Sequence, residues 1–280
     1  MTNWLLGIFL GLVQGISEWL PVSSKTQIII VSTYLFGLTF TQAYAFGLFL
    51  EAASFVAAVV YFRKEVLRVL RALVGRGDEE GRLLLKYLLI VTAVTAVIGV
   101  LIFKLVSASL TGPVLGVPMI LLGLILLGDG FLIKYARGRY VPQKGLRELT
   151  VRDELLIGFV QGIAAFPGVS RSGVTVSTML LLGVKPEDSF RLSFLALIPA
   201  SVGASLVTVL FSNTQLGAVI TSVTPQVILV AILVAIVTSL LLIRVLLRFA
   251  GSSRIVTVVM VLGVLAIVSG VVSILTQVGG

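Results

Sequence analysis

What most limits the fold of this 280-residue chain is where it carries no charge. Residues 192–243 form a run of 52 without Asp, Glu, Lys or Arg, and 105–128 and 255–280 add runs of 24 and 26. Another 17 uncharged residues lie between Lys86 and Lys104. A helix needs about 20 apolar residues to cross a bilayer core, so such a chain reads as an integral membrane protein. The longest run breaks at Ser212-Asn213-Thr214-Gln215 and at Pro225, giving two helices. With 42–62, which holds one carboxylate (Glu51), six full spans are expected: 42–62, 85–104, 114–135, 190–211, 223–246 and 255–276. The N-terminus lacks a basic region and an A-x-A-like site, so no cleavable leader is expected.

Two segments are too short to span. Residues 4–20 and 26–37 flank Pro21-Val22-Ser23-Ser24-Lys25, and 155–166 and 174–183 flank Pro167-Gly168-Val169-Ser170-Arg171-Ser172-Gly173. Short apolar runs suit re-entrant segments, and irregular backbone at membrane depth survives only inside protein or against a wet cavity. Two helix–break–helix hairpins are therefore expected. The breaks also reveal a duplication: Gly11-Leu12-Val13-Gln14-Gly15-Ile16 matches Gly158-Phe159-Val160-Gln161-Gly162-Ile163 at an offset of 147. The expected fold is an all-α membrane domain made of two repeats. Repeat 1 is 1–140, with hairpin 4–37 and three spans; repeat 2 is 150–280, with hairpin 152–183 and three spans. An odd number of crossings per half inverts the second half relative to the first.

Charge placement agrees. If the loops after 62, 135, 183 and 246 share one side, they hold seven, six, two and three basic residues, 18 of the 21 in the chain. The positive-inside rule puts that side in the cytoplasm. The exceptions are Lys104 and the two hairpin-break cations, Lys25 and Arg171. Four of the six tyrosines, Tyr61, Tyr87, Tyr135 and Tyr140, fall at the same border. The net charge of +9 is thus a topology signal, and no nucleic-acid partner is expected.

The chain has no His and no Cys. That excludes a Ser-His-Asp triad, a phosphohistidine, an imidazole base, a disulfide framework and a thiolate metal site. In an inverted repeat the broken hairpins meet near the midplane, where ionisable groups are costly and mostly functional. Glu18, Ser23, Ser24, Lys25, Ser170, Arg171, Ser172 and Thr175 are expected to gather there, with Glu51 on the adjacent span. Gly168 and Gly173 allow close backbone approach to an anion at the start of the next helix, where Arg171 offers a planar fork. Glu18 is the candidate general acid/base or metal ligand, with Gln14 one turn earlier on the same face. Glu51 is either a second metal ligand or a structural carboxylate. Lys25 either meets a phosphate or snorkels outward. The competing structural readings are a Glu18–Arg171 ion pair that only fixes the hairpins and Ser172 as an ordinary helix cap. Asp129 reads as structural or interfacial.

Gln14-Gly15-Ile16-Ser17-Glu18-Trp19-Leu20-Pro21-Val22-Ser23-Ser24 and Pro167-Gly168-Val169-Ser170-Arg171-Ser172-Gly173-Val174-Thr175 resemble the two signatures of the undecaprenyl-diphosphate phosphatase (bacitracin-resistance) family. Ser193-Phe194-Leu195-Ala196-Leu197-Ile198-Pro199-Ala200 is similar to the family's next helix. The resemblance implies hydrolysis of a polyprenyl diphosphate to the monophosphate, recycling the lipid carrier for envelope glycan synthesis. It also implies a divalent cation, Mg²⁺ or Ca²⁺, and a multi-pass location in the cell membrane. It assigns Glu18, Ser24 and Arg171 to catalysis and Gln14, Ser170, Ser172 and Thr175 to substrate binding, and the two breaks themselves add Ser23, Lys25, Gln27, Gly168 and Gly173 as candidate substrate-binding residues. Where the family continues Ser-Ser-x-Gly-His, this chain reads Ser23-Ser24-Lys25-Thr26-Gln27, so Gln27 stands in place of an imidazole. A Glu18-activated water, a metal-bound hydroxide or Ser24 remain as nucleophiles. The alternative function is a polyprenyl-phosphate transporter. The expected partners are the lipid diphosphate and the membrane, with a homodimer left open.

Overall fold

A computed structural model describes residues 3–20, 22–109, 116–136, 143–250 and 255–275. Among them there is no strand beyond one isolated bridge between Lys144 and Val184. The helices are α1 (Asn3–Ser17), α2 (Ser24–Phe36), α3 (Phe40–Tyr61), α4 (Arg63–Leu73), α5 (Glu79–Ser109), α6 (Gly116–Ala136), α7 (Val151–Ile163), α8 (Arg171–Leu181), α9 (Pro186–Phe211), α10 (Asn213–Val223), α11 (Pro225–Ala250) and α12 (Ile255–Leu275), with a 3₁₀ turn at Leu146–Glu148. Four are long and apolar enough to cross a membrane: α3, α5 over Glu79–Val106, α9 and α11. The chain is a multi-pass membrane protein. Large side chains such as Leu101, Leu210 and Leu241 are exposed, as a lipid-facing surface requires. Arg137, Arg139, Tyr140 and Arg254 of the charge argument lie outside the described residues, as do the side chains of Asp129 and Tyr135.

Local chemistry sets the helix ends. Thr39 accepts the Gln42 amide while the Gln42 side chain accepts the Thr39 amide, a reciprocal cap that starts α3. Thr150 and Asp153 do the same for α7. α9 begins at Pro186, four residues before the expected 190. A proline in the first turn followed by Glu187 and Asp188 suits a helix N-terminus, whereas hydropathy registers those charges only as loop. α4 is likewise a helix where a basic loop was expected. Arg63, Lys64, Arg68 and Arg71 share it with exposed Leu67, Leu70 and Leu73, so its polarity hides an amphipathic period. α10 follows the Ser212 break instead of a plain turn.

Glycine-faced packing holds the long helices to the hairpins. Gly7, Gly11 and Gly15 recur every four residues along α1. A Cβ at Gly11 would stand 2.6 Å from the Ala231 carbonyl oxygen and 2.7 Å from Val234 Cβ, both on α11. On α7, a Cβ at Gly158 would stand 2.9 Å from the Val91 carbonyl oxygen and from Val94 Cβ of α5. Small residues allow this close approach between apolar helices. α3 packs on α9, and α6 packs on α12, where Gly123 and Gly263 each face the other's carbonyl oxygen. Two apolar cores result. One contains Trp19, Tyr87, Met179, Phe194 and Ile243, with Trp19 edge-on to Phe194 at 4.8 Å. The other contains Leu10, Ile28, Phe46, Phe103 and Val227. The first hairpin's break runs between Trp19 of one and Ile28 of the other.

Candidate active site

The α1 helix ends in a turn that presents Glu18. Its amide donates to the Gln14 carbonyl at 3.1 Å, so the helical path reaches the carboxylate and leaves Gln14 on the same face. Gln14 Nε2 donates to Glu18 Oε2 at 2.9 Å, and Ser24 Oγ, at the start of α2, donates to the same oxygen at 2.5 Å. Between them Ser23 takes φ +50°, an uncommon backbone for a residue with a Cβ, and its Oγ accepts the Thr26 hydroxyl at 3.0 Å. Such outliers gather at functional sites.

Across from this turn, Arg171 opens α8 and binds Glu18 Oε1 through Nη2. The same nitrogen lies 3.3 Å from Glu51 Oε2 on α3, and Lys25 Nζ lies 3.4 Å from Glu51 Oε1. All four residues are at most 8% exposed. Lys25, Glu51, Arg171 and Glu18 therefore form a buried row of alternating sign with no formal net charge. The ion pair anticipated as a structural alternative is present, but as part of this longer row. Lys25 points inward to Glu51 and does not snorkel.

The other residues of the second break secure it. Gly168 takes φ +93°, a conformation that favours glycine. The cap of α8 is Ser170, whose Oγ accepts the Gly173 amide at 3.3 Å and donates to the Leu20 carbonyl at 3.1 Å. Ser172 is not the cap. It donates across to the Leu20 carbonyl at 3.2 Å, tying one break to the other. Thr175 Oγ1 donates to the Arg171 carbonyl at 2.8 Å and lies 2.6 Å from Ser193 Oγ on α9. Gln27 donates to the Val22 carbonyl and, at 2.5 Å, to Ser269 Oγ on α12. Its amide anchors the hairpin away from the charged row.

Lys25, Glu51 and Arg171 are the charged side chains that line a cavity. Its walls come from α3, α5, the end of the first hairpin-2 arm and α9, and are largely small or apolar (Ala96, Gly99, Ala165, Ala200, Gly203). Pro199 also lines it and lacks the amide hydrogen that would continue the α9 ladder. Sequence reasoning missed Tyr44, Thr92, Thr95 and Gln161 in this wall. Tyr44 donates its hydroxyl to the Ala165 carbonyl at 2.8 Å, bracing the second break. Gln161 was discoverable, since it stands 147 residues after Gln14 within the repeated segment.

A hard divalent cation takes oxygen ligands, and Mg²⁺ commonly uses one or two carboxylates together with substrate phosphate oxygens. Among the described residues no group of three acidic, His or Cys side chains assembles. Glu18 and Glu51 do converge on one guanidinium, and the buried Gln14 Oε1 has no hydrogen-bond partner. Two carboxylates and a free amide oxygen fit such a cation in kind.

The sequence model of the family described as "Bacitracin resistance protein BacA" matches residues 7–270. The chain belongs to this family. Among its relatives is a protein of Saccharolobus solfataricus named undecaprenyl-diphosphatase, 50% identical over 98% of each chain. Others bearing that name are from Sulfurisphaera tokodaii, 45% identical over 98% of this chain and 99% of the relative, and from Pyrobaculum aerophilum, 43% identical over 95% and 97%. Family membership covers both hairpin breaks, so the Glu18–Arg171 pairing belongs to the shared region.

Proposed function

We infer that this protein is an undecaprenyl-diphosphatase: it hydrolyses a polyprenyl diphosphate to the monophosphate and inorganic phosphate, which recycles the carrier lipid for envelope glycan synthesis. The observation that carries this reading is the buried Lys25–Glu51–Arg171–Glu18 row at the end of an apolar-walled cavity. A lipid diphosphate needs both halves of that arrangement, cations for its phosphates and an apolar slot for its chain. Arg171 and Lys25 receive the phosphates as the carboxylates release them. Glu18 takes a proton from the attacking group, oriented by Gln14 and Ser24. Gln14, Glu18 and Glu51 are the residues that would hold a divalent cation. When bound, that ion supplies positive charge against the phosphoryl oxygens, which phosphoryl transfer depends on.

The finer architecture is six spans and two re-entrant hairpins related by an inverted repeat. Its support is the exchange of packing partners. Gly11 and Gly158 are 147 apart, and the residues they meet, Ala231 and Val91, Val234 and Val94, are each 140 apart. The cavity lies towards the ends of α3, α5 and α9 remote from the basic loops, which supports access from outside the cell. The site assignments, the cation and the cell-membrane location belong to the same reading.

Purified protein is expected to release phosphate from a polyprenyl diphosphate, and Glu18→Gln or Arg171→Ala to lower that release by roughly 100-fold or more. A chelator is expected to suppress it, with Mg²⁺ or Ca²⁺ restoring it. Lipid movement across reconstituted vesicles without any hydrolysis would assign transport instead.

A further inference from the structure

One polar group in the cavity wall is left over from the reaction just described. Gln161 on α7 is 2% exposed and lines the cavity together with Thr92 and Thr95 of α5. A relay fixes its orientation. The Gly158 carbonyl accepts the Thr95 hydroxyl at 3.1 Å, so the Thr95 oxygen has only lone pairs left to offer. Gln161 Nε2 donates to that oxygen at 3.0 Å. The amide is thereby held with its nitrogen towards Thr95, and Gln161 Oε1 is the free atom.

Gln161 Oε1 is buried and has no hydrogen-bond partner; neither has Thr92 Oγ1. Leaving a buried polar group unmet is costly, and these two line one cavity. Their chemistry narrows the ligand. A carbonyl oxygen accepts and cannot donate, so it repels the oxygens of a phosphate anion. A hydrocarbon tail leaves both atoms unmet. Water is the ligand whose chemistry suits both atoms, since it donates to a carbonyl oxygen and takes either role with a hydroxyl.

We propose that Gln161 and Thr92 hold the water that accepts the phosphoryl group, with Thr95 as the residue that positions Gln161. The proposal rests on the hydrolase reading above. The water oxygen forms a bond to the terminal phosphorus, and the bond from that phosphorus to the bridging oxygen breaks. The polyprenyl phosphate departs with the electron pair. One water hydrogen stays on the new inorganic phosphate, and the other goes to Glu18, the base already assigned to the attacking group. A neutral, oriented acceptor suits this task because it aligns water without adding negative charge beside an anionic substrate.

The test is steady-state hydrolysis of a polyprenyl diphosphate by the full-length protein, with and without methanol as a competing acceptor. The variants are Gln161→Leu, Thr92→Val and Thr92→Ser. Gln161→Leu and Thr92→Val should lower kcat roughly 10- to 100-fold with little change in KM, the cost of a misplaced reactant. They should also raise the ratio of methyl phosphate to inorganic phosphate several-fold, because an apolar wall no longer favours water over methanol. Thr92→Ser, which keeps the hydroxyl, should behave as wild type. A product ratio unchanged in folded Gln161→Leu or Thr92→Val overturns the proposal, even if their melting temperature falls. Failure of the wild-type protein to release phosphate at all overturns the hydrolase reading and this proposal with it.

Discussion

Four buried charges decide the residue scale. Removing one partner of a buried pair leaves an uncompensated charge at a cost of about 3–5 kcal/mol, whereas replacing both with apolar groups can be neutral. Lys25→Met and Glu51→Leu should each destabilise the protein by about that amount. The double variant should cost less than the two singles added together, because the groups interact directly. Denaturant unfolding in detergent measures all three, and strict additivity would contradict the pairing at 3.4 Å. Glu18 and Arg171 were legible in the sequence, since a carboxylate and a guanidinium in the breaks of apolar runs have few other uses. The direction of Lys25 was not legible. A long flexible side chain goes where its partner is, and Glu51 arrives on another helix. Gln27 was misleading for a related reason: its place in the signature suggested the reaction centre, while Ser269, over 240 residues away, draws its amide aside.

At the scale of helices, the glycine faces dominate. A leucine at Gly11 or Gly158 must displace a carbonyl oxygen and a β-branched side chain on the facing helix. Overpacking of this kind costs about 1–3 kcal/mol, occasionally more. Gly11→Leu and Gly158→Leu should lower the unfolding midpoint by similar amounts. Gly217→Ala on α10, where a Cβ meets nothing within 4 Å, should leave it unchanged or raise it. A Gly11→Leu variant as stable as the parent would contradict the close packing of α1 on α11. The spacing of Gly7, Gly11 and Gly15 is plain in the sequence and announces a packing face. Its partner is not announced, because more than 200 residues separate α1 from α11 and apolar helices look alike to one another. α4 was missed because its arginines were counted as charges on a side of the membrane, and counting discards their order.

For the whole molecule, the topology can be read directly, since the chain contains no cysteine to remove. In right-side-out vesicles, Thr221→Cys on the exposed face of α10 should react with an impermeant thiol reagent. Arg76→Cys, between α4 and α5, should react only after the membrane is opened. Labelling of both from the same side would refute the proposed crossings. The places of the four helices long enough to cross were legible from charge-free length, and the two hairpin breaks from their prolines, glycines and serines. The cavity was not, because much of its wall is alanine and glycine, whose role lies in the space they leave.

The exchange of partners between the halves has a consequence for how the protein is made. α1 emerges first with a bare glycine face, and the helix that covers it, α11, begins only at Pro225. Glu18 is likewise made long before Arg171, its ion-pair partner. Until Arg171 is made the nascent chain lacks the guanidinium partner of Glu18, and until α11 is made it lacks the cover of the α1 glycine face. The second hairpin is complete only when 181 of the 280 residues have been made. A chain interrupted before α11 is thus an unfinished one, with the glycine face of α1 that the complete protein covers still bare.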